Sequence, residues 1–206
     1  MQKQNYGYGA NQKTCYTEAL KAEADIIVMV HPDYQYDPTL LPELIRPIEE
    51  GKADVVLGSR LMGKSPMSQG MPRRKYVSNR FLTALENWVF GLKLAEYHTR
   101  YRAYKSTVPE NLNLTMNSDK FVFDQEIIAQ MVNGGYRIDE VPVPTRYFRE
   151  ASSASFVNSC IYGLSILVVL IRYVFHRRGW VPQKQFQGLK SRYQEIQPAA
   201  SHDSRT

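Results

Sequence analysis

Cysteine is scarce in this chain: Cys15 and Cys160 are the only two. They lie far apart without metal-ligand spacing, which argues against a disulfide framework and a zinc site and fits a reducing, cytoplasmic setting. Long apolar runs are also missing. Ile161 to Ile171 is mostly apolar, but Gly163 and Ser165 interrupt it and Arg172 closes it, short of the roughly 20 residues a membrane span needs. A helix lying against the domain or in the bilayer interface is expected there instead. No secretory signal marks the polar N-terminus, and no internal repeat is visible. Acidic residues are few only near the C-terminus. From Arg172 to Thr206 seven Lys/Arg face two acidic residues, so this segment carries +5 of the net +6 and the rest is nearly neutral. A basic tail beside an apolar segment points to an anionic membrane surface, or merely to solubility, and not to a nucleic-acid partner.

What is present is ordinary for one soluble globular domain: 43% hydrophobic and 22% charged residues in 206. Asn11 to about Glu23 is predicted helical, entered through Asn5-Tyr6-Gly7-Tyr8-Gly9 with Asn11 as N-cap. A buried strand at 25–30 follows. Pro38 opens a helix whose apolar face is Leu40, Leu41, Leu44, Ile45 and Ile48, ended at Gly51. Ala53-Asp54-Val55-Val56-Leu57 is a second buried strand. The helix–strand–helix–strand order with short connections predicts an α/β fold with a mostly parallel sheet of the nucleotide-binding type. After a Gly/Pro/Ser/Met loop at 61–72, a helix is expected from Arg73 to about Leu92, with Val77, Phe81, Leu85, Trp88 and Val89 as its core face. Glu96 to Tyr104 reads as loop and short strand, Phe123 to about Asn133 as helix ended by Gly134-Gly135, and Tyr136 to Val143 as a strand. From Pro182 onward the composition predicts disorder.

His31-Pro32-Asp33-Tyr34-Gln35-Tyr36-Asp37-Pro38 directly follows the first strand. Open α/β sheets place ligands at that carboxyl edge. An imidazole, two carboxylates and an amide oxygen within seven positions suit a hard cation and phosphate. A polar turn with Asp37 capping the next helix is the alternative. Arg60 ends the second strand on the same edge and fits bidentate phosphate binding or a surface ion pair. Arg74 and Ser78, four apart, share a helix face.

In order and separation, residues 5–11, 31–38, 53–60, 96–104, 123–126, 135–138 and 140–143 make the chain similar to family 2 glycosyltransferases of the dolichyl-phosphate mannosyltransferase-like branch. The resemblance covers roughly residues 5–175. It implies a GT-A fold, here incomplete at its N-terminus: a partial catalytic domain over 1–155, an amphipathic or interfacial helix over 156–181, and a disordered basic tail over 182–206. It implies an inverting, metal-assisted transfer of sugar from a nucleotide-diphosphate donor to a lipid-phosphate or glycan acceptor, in the cytoplasm or at the inner face of the membrane. A truncated, non-catalytic chain that keeps only acceptor-side binding is the other reading.

The same resemblance assigns roles. Asp33, with His31, would hold Mg2+ or Mn2+; Gln35, Arg60, Arg74, Ser78 and Arg149 would bind donor or phosphate; Glu96 would be the catalytic base. Asp124 and Glu126 form a second acidic pair, or serve as helix caps. Two positions depart from the family pattern. The first carboxylate of the Asp-x-Asp metal motif is His31, which carries no negative charge and suits softer ions than magnesium. Arg100 stands where the family has glycine, four residues after Glu96.

Overall fold

The computed structural model describes residues 5–31, 34–63, 66–67, 70–145 and 156–189. Helix α1 (Tyr8–Lys21) starts three residues earlier than Asn11, with Gly7 at its N-cap. Strand β1 (Ile26–Met29) follows, and Asp37 then accepts from the Thr39 N–H at 3.0 Å to open a 3₁₀ turn that leads into α2 (Leu41–Glu49). Strand β2 (Val55–Ser59) is wholly buried. Helix α3 (Arg73–Phe90) ends at Gly91 in the left-handed conformation. Strand β3 (Arg102–Lys105), short α4 (Thr107–Asn111), α5 (Phe123–Asn133), β4 (Ile138–Pro142) and α6 (Phe156–Arg177) complete the chain order.

The sheet order is β1-β3-β2-β4. Three strands run one way, but β3 inserts antiparallel between β1 and β2, and only β2 and β4 pair in parallel. The sheet is therefore mixed. Two buried clusters flank it. Ile27, Val55, Leu57 and Tyr104 point to the cluster with α5 and α6, while Val56 and Ala103 point to Leu44 and Ile48 of α2. This is the period-two alternation of strands covered on both faces.

Helix α3 departs from the expected orientation. Asn79, Thr83, Glu86 and Phe90 are buried, whereas Val77, Phe81 and Trp88 are exposed. The cause is electrostatic. A buried carboxylate on the loop at 96 requires donors, and Asn79 supplies one. Positions 77 and 79 lie about 200° apart around a helix, so the same rotation turns Val77 outward.

The C-terminal segment departs too. Gln183 to Gly188 returns to the domain instead of being disordered from 182. Phe186 is in the core, and Gln130 donates to the Gln185 carbonyl at 2.7 Å. Gln185 in turn donates to Asn117 Oδ1, and Asn117 to Gln130 Oε1, each at 2.8 Å. A ring of buried carboxamides thus holds the returning chain, and a composition that signals disorder is overridden by specific hydrogen bonds.

The glycine-rich entry to α1 has a steric reason. A Cβ on Gly9 would sit 2.3 Å from the Ser118 carbonyl oxygen and 2.9 Å from Phe123 Cβ. We expect Gly9→Ala to destabilise by about 1–3 kcal/mol through overpacking, read as a lowered urea midpoint.

Candidate active site

Because β3 runs antiparallel, its first residue lies at the carboxyl edge of its neighbours. Arg102 is opposite both Met29 of β1 and Leu57 of β2. The loop leading into β3 therefore arrives beside the loops leaving β1 and β2. At this edge Arg60 meets Glu96 and the His98 carbonyl, and Arg100 and His31 both lie against Tyr8.

Arg60 and Glu96 form a buried ion pair. Glu96 has no exposed surface and Arg60 only 6%. The Arg60 backbone N–H donates to Glu96 Oε2 at 2.8 Å and its Nε–H to Oε1 at 2.9 Å; a second guanidinium N–H also reaches Oε1. Asn79 donates to the same oxygen at 2.7 Å. Burial pushes the Glu96 carboxyl upward, but the Arg60 charge and these donors outweigh it and hold it below the ordinary range. From β4, Glu140 accepts the Ala95 N–H, fixing the residue just before Glu96.

A second buried carboxylate lies on the same face of α3. Glu86 Oε2 is 3.1 Å from His98 Nε2, and Gln125 Nε2 is 2.8 Å from His98 Nδ1. The sequence does not signal Glu86, which sits within a helix that looks apolar-faced, and Gln125 lies inside a motif stretch without a role. His98 lies inside a motif stretch but carried no role.

Arg102 is missed as well. Its side chain has no exposed surface and donates to the carbonyls of Thr99 at 2.7 Å, Tyr97 at 3.0 Å and Asp124 at 3.3 Å. The Asp124 carboxylate is 3.7 Å away and also accepts the Tyr8 hydroxyl at 2.9 Å. A charged residue within a strand pattern was the available signal. Asp124 is thereby occupied inside the fold.

Tyr8 stacks toward His31 with ring centroids 6.2 Å apart, and the Arg100 guanidinium lies over the rings of Tyr8 and Phe121 at 5.5 and 5.3 Å. Arg100 makes no ion pair among the described residues. Among the described residues positive φ outside glycine is confined to Glu23 and Tyr34, so the loop tolerates arginine at 100 without left-handed strain. Arg74 and Ser78 are exposed on the first two turns of α3, one residue short of Asn79 and its bond to Glu96. Asp33 and Arg149 lie outside the described residues.

The model of the family described as glycosyl transferase family 2 matches residues 1–112. The chain belongs to glycosyl transferase family 2. This family 2 chain is 28% identical, over 77% of its length, to a UDP-N-acetylglucosamine–dolichyl-phosphate N-acetylglucosaminyltransferase of Methanococcus voltae, covering 62% of that protein. It is 27% identical, over 78% of its length, to a low-salt glycan biosynthesis hexosyltransferase of Haloferax volcanii, covering 38% of it. In shape it is similar to glucosyl-3-phosphoglycerate synthase from Mycobacterium tuberculosis crystallised with Mn2+, uridine-diphosphate-glucose and glycerol 3-phosphate. That TM-score is 0.56 at 11% identity, over 84% of this chain and 56% of that one. The likeness shows the GT-A fold. The family 2 chain spans less than two thirds of each of these three relatives.

Proposed function

We propose that this chain performs the inverting transfer of a sugar from a nucleotide diphosphate to a lipid-phosphate or glycan acceptor, with a divalent metal assisting, at the cytoplasmic face of a membrane. The observation that supports this reading is that β3 runs antiparallel between β1 and β2, so the loops bearing His31 and Gln35, Arg60, and Glu96 leave one sheet edge, with α3 tied to it through Asn79. The relatives support the substrate classes, one a dolichyl-phosphate N-acetylglucosaminyltransferase and one crystallised with Mn2+ and uridine-diphosphate-glucose.

Among the described residues no three His, Cys, Asp or Glu side chains cluster as a metal cage. One imidazole at His31 and one carboxylate at Asp33 suit an ion completed by diphosphate oxygens, and the imidazole favours manganese over magnesium. Such an ion supplies neutralisation of charge on the diphosphate as its bond to the sugar breaks. Gln35 follows on the same loop. Arg100 adds a cation beside His31, held by Tyr8 and Phe121. Arg74, Ser78 and Arg149 take phosphate, with the helix start bearing three basic residues and no acidic one. Such a run is unfavourable against the helix dipole and is explained by an anionic ligand. Glu96 serves the acceptor side. Arg60 and Asn79 keep it ionised and fix its place, and action as general base requires one of them to yield when the acceptor hydroxyl arrives.

A titration of this chain with uridine and guanosine sugar diphosphates, with and without Mn2+, tests the reading. Saturable, metal-dependent binding is expected, weakened about hundredfold or more in Asp33→Ala. A folded sample that binds no donor would overturn the transferase reading for this chain and leave acceptor-side binding alone.

A further inference from the structure

We propose that Arg100 binds the donor diphosphate and carries part of the charge neutralisation that a divalent metal supplies there. The proposal rests on the donor reading above and adds a binding residue to that same site.

The other guanidinium groups of this edge are committed within the fold. Arg60 is bound to Glu96, and Arg102 is enclosed by three carbonyls and the Asp124 carboxylate. Carboxylates from neighbouring elements are engaged as well: Asp119 pairs with Lys13, and Glu126 lies 3.7 Å from Arg172. Among the described residues the Arg100 guanidinium makes neither an ion pair nor a hydrogen bond, which leaves its whole fork of N–H donors for a ligand.

This half-buried cation is held in place. It lies over the rings of Tyr8 and Phe121 at 5.5 and 5.3 Å. Neither ring neutralises it. Burial and the Asp124 carboxylate push the Tyr8 phenol above its ordinary range, so its hydroxyl keeps the proton it donates to Asp124.

Geometry sets Arg100 on the donor side. Its backbone N–H donates to the Tyr36 hydroxyl at 3.3 Å, and Thr99 Oγ1 lies 3.4 Å from the same oxygen. Tyr36 belongs to the loop after β1 that carries His31 and Gln35, so the two loops are pinned together. Tyr8 joins them again, since His31 and Arg100 both lie against its ring. Two departures from the family pattern then compensate each other. An imidazole at 31 takes one negative charge from the metal position and loosens its hold on a divalent ion. A guanidinium at 100, in place of glycine, brings a cation whose planar fork matches two phosphate oxygens.

Inorganic pyrophosphate, which has neither nucleoside nor sugar, is the probe. Calorimetric titration of the full chain in EDTA is expected to show pyrophosphate binding that Arg100→Gln weakens about tenfold or more. Arg100→Lys, with the charge but not the fork, should fall between them. With Mn2+ present the loss in Arg100→Gln should shrink, because the ion neutralises the same oxygens. Phe121→Leu, at an exposed position, keeps the cation but removes one ring and should weaken binding about threefold. Urea midpoints should match the wild type, and the Lys and Leu variants carry the comparison if Arg100→Gln does not fold. Unchanged pyrophosphate affinity in Arg100→Gln, or no pyrophosphate binding by the wild type, would overturn the proposal. A loss seen with citronellyl phosphate but not with pyrophosphate would overturn it too, by moving Arg100 to the acceptor side. Pyrophosphate bound through Arg100 with no sugar nucleotide bound sinks the transfer reading alone. Sugar nucleotide bound equally by wild type and Arg100→Gln sinks the role of Arg100 alone.

Discussion

Glu96→Ala is expected to destabilise the fold by about 3–5 kcal/mol, because it strands the Arg60 guanidinium in the interior. The pair has almost no contact with solvent: Glu96 is 0% and Arg60 6% exposed. Glu96→Gln should cost less, about 1–3 kcal/mol, since an amide oxygen in the Oε1 place still accepts from the Arg60 Nε–H and from Asn79 while the charge is lost. Urea unfolding at several pH values separates the terms. The Glu96 carboxyl is held below its ordinary 4.5 in the folded state. Its stabilising contribution is therefore complete above about pH 4.5 and is lost as pH falls through the folded value. The wild-type midpoint should drop over that window, and the Glu96→Gln midpoint should drop less. If instead Glu96→Gln unfolds like the wild type at all pH values, the pair is not the strut described above, and the carboxylate is free for base chemistry alone.

What could be read in the sequence divides along physical lines. Local signals sufficed for α5, whose bounds at Phe123 and Asn133 match the expected ones, and for β1 and β2, where β-branched runs mark buried strands. The second strand is expected to end at Leu57, yet Gly58 and Ser59 belong to it, because β4 pairs alongside as far as Ser59↔Pro142. That partner is distant in sequence, and so is the insertion of β3 between β1 and β2; no local pattern reports either. The expected face of α3 holds at Leu85 and Val89, which pack on the core, and fails at Val77, Phe81 and Trp88 for a related reason. Its apolar periodicity is genuine, but the interior beside it holds Glu96 and His98, and their demand for partners outweighs the burial of Val77, Phe81 and Trp88. At the site, element order put Arg60 on the edge shared with the loop after β1, and the family resemblance alone named Glu96. Their direct bond, and the parts played by Asn79, Glu86 and Gln125, needed the packing of α3 and α5 against the loop.

Arg102→Lys, conservative in charge, is expected to cost about 2–4 kcal/mol. The guanidinium spans three carbonyls and a carboxylate from one place: Thr99 and Tyr97 on the loop, and the backbone and side chain of Asp124 on α5. An ammonium is a point donor on a flexible stem and cannot keep that fork, so buried carbonyls are left unpaired. The damage should be local before it is global. Tyr97 and Thr99 anchor the stretch that holds Glu96 before them and Arg100 after them, while Asp124 anchors Tyr8, which touches both His31 and Arg100. Amide exchange at residues 97–101 should therefore accelerate in Arg102→Lys more than exchange at Leu44–Ile48 of α2, which packs on the far face of the sheet. Donor affinity should fall in step with the loop amides. Uniform acceleration across both regions would mean that Arg102 stabilises the whole domain without specifically holding the edge where the three loops meet.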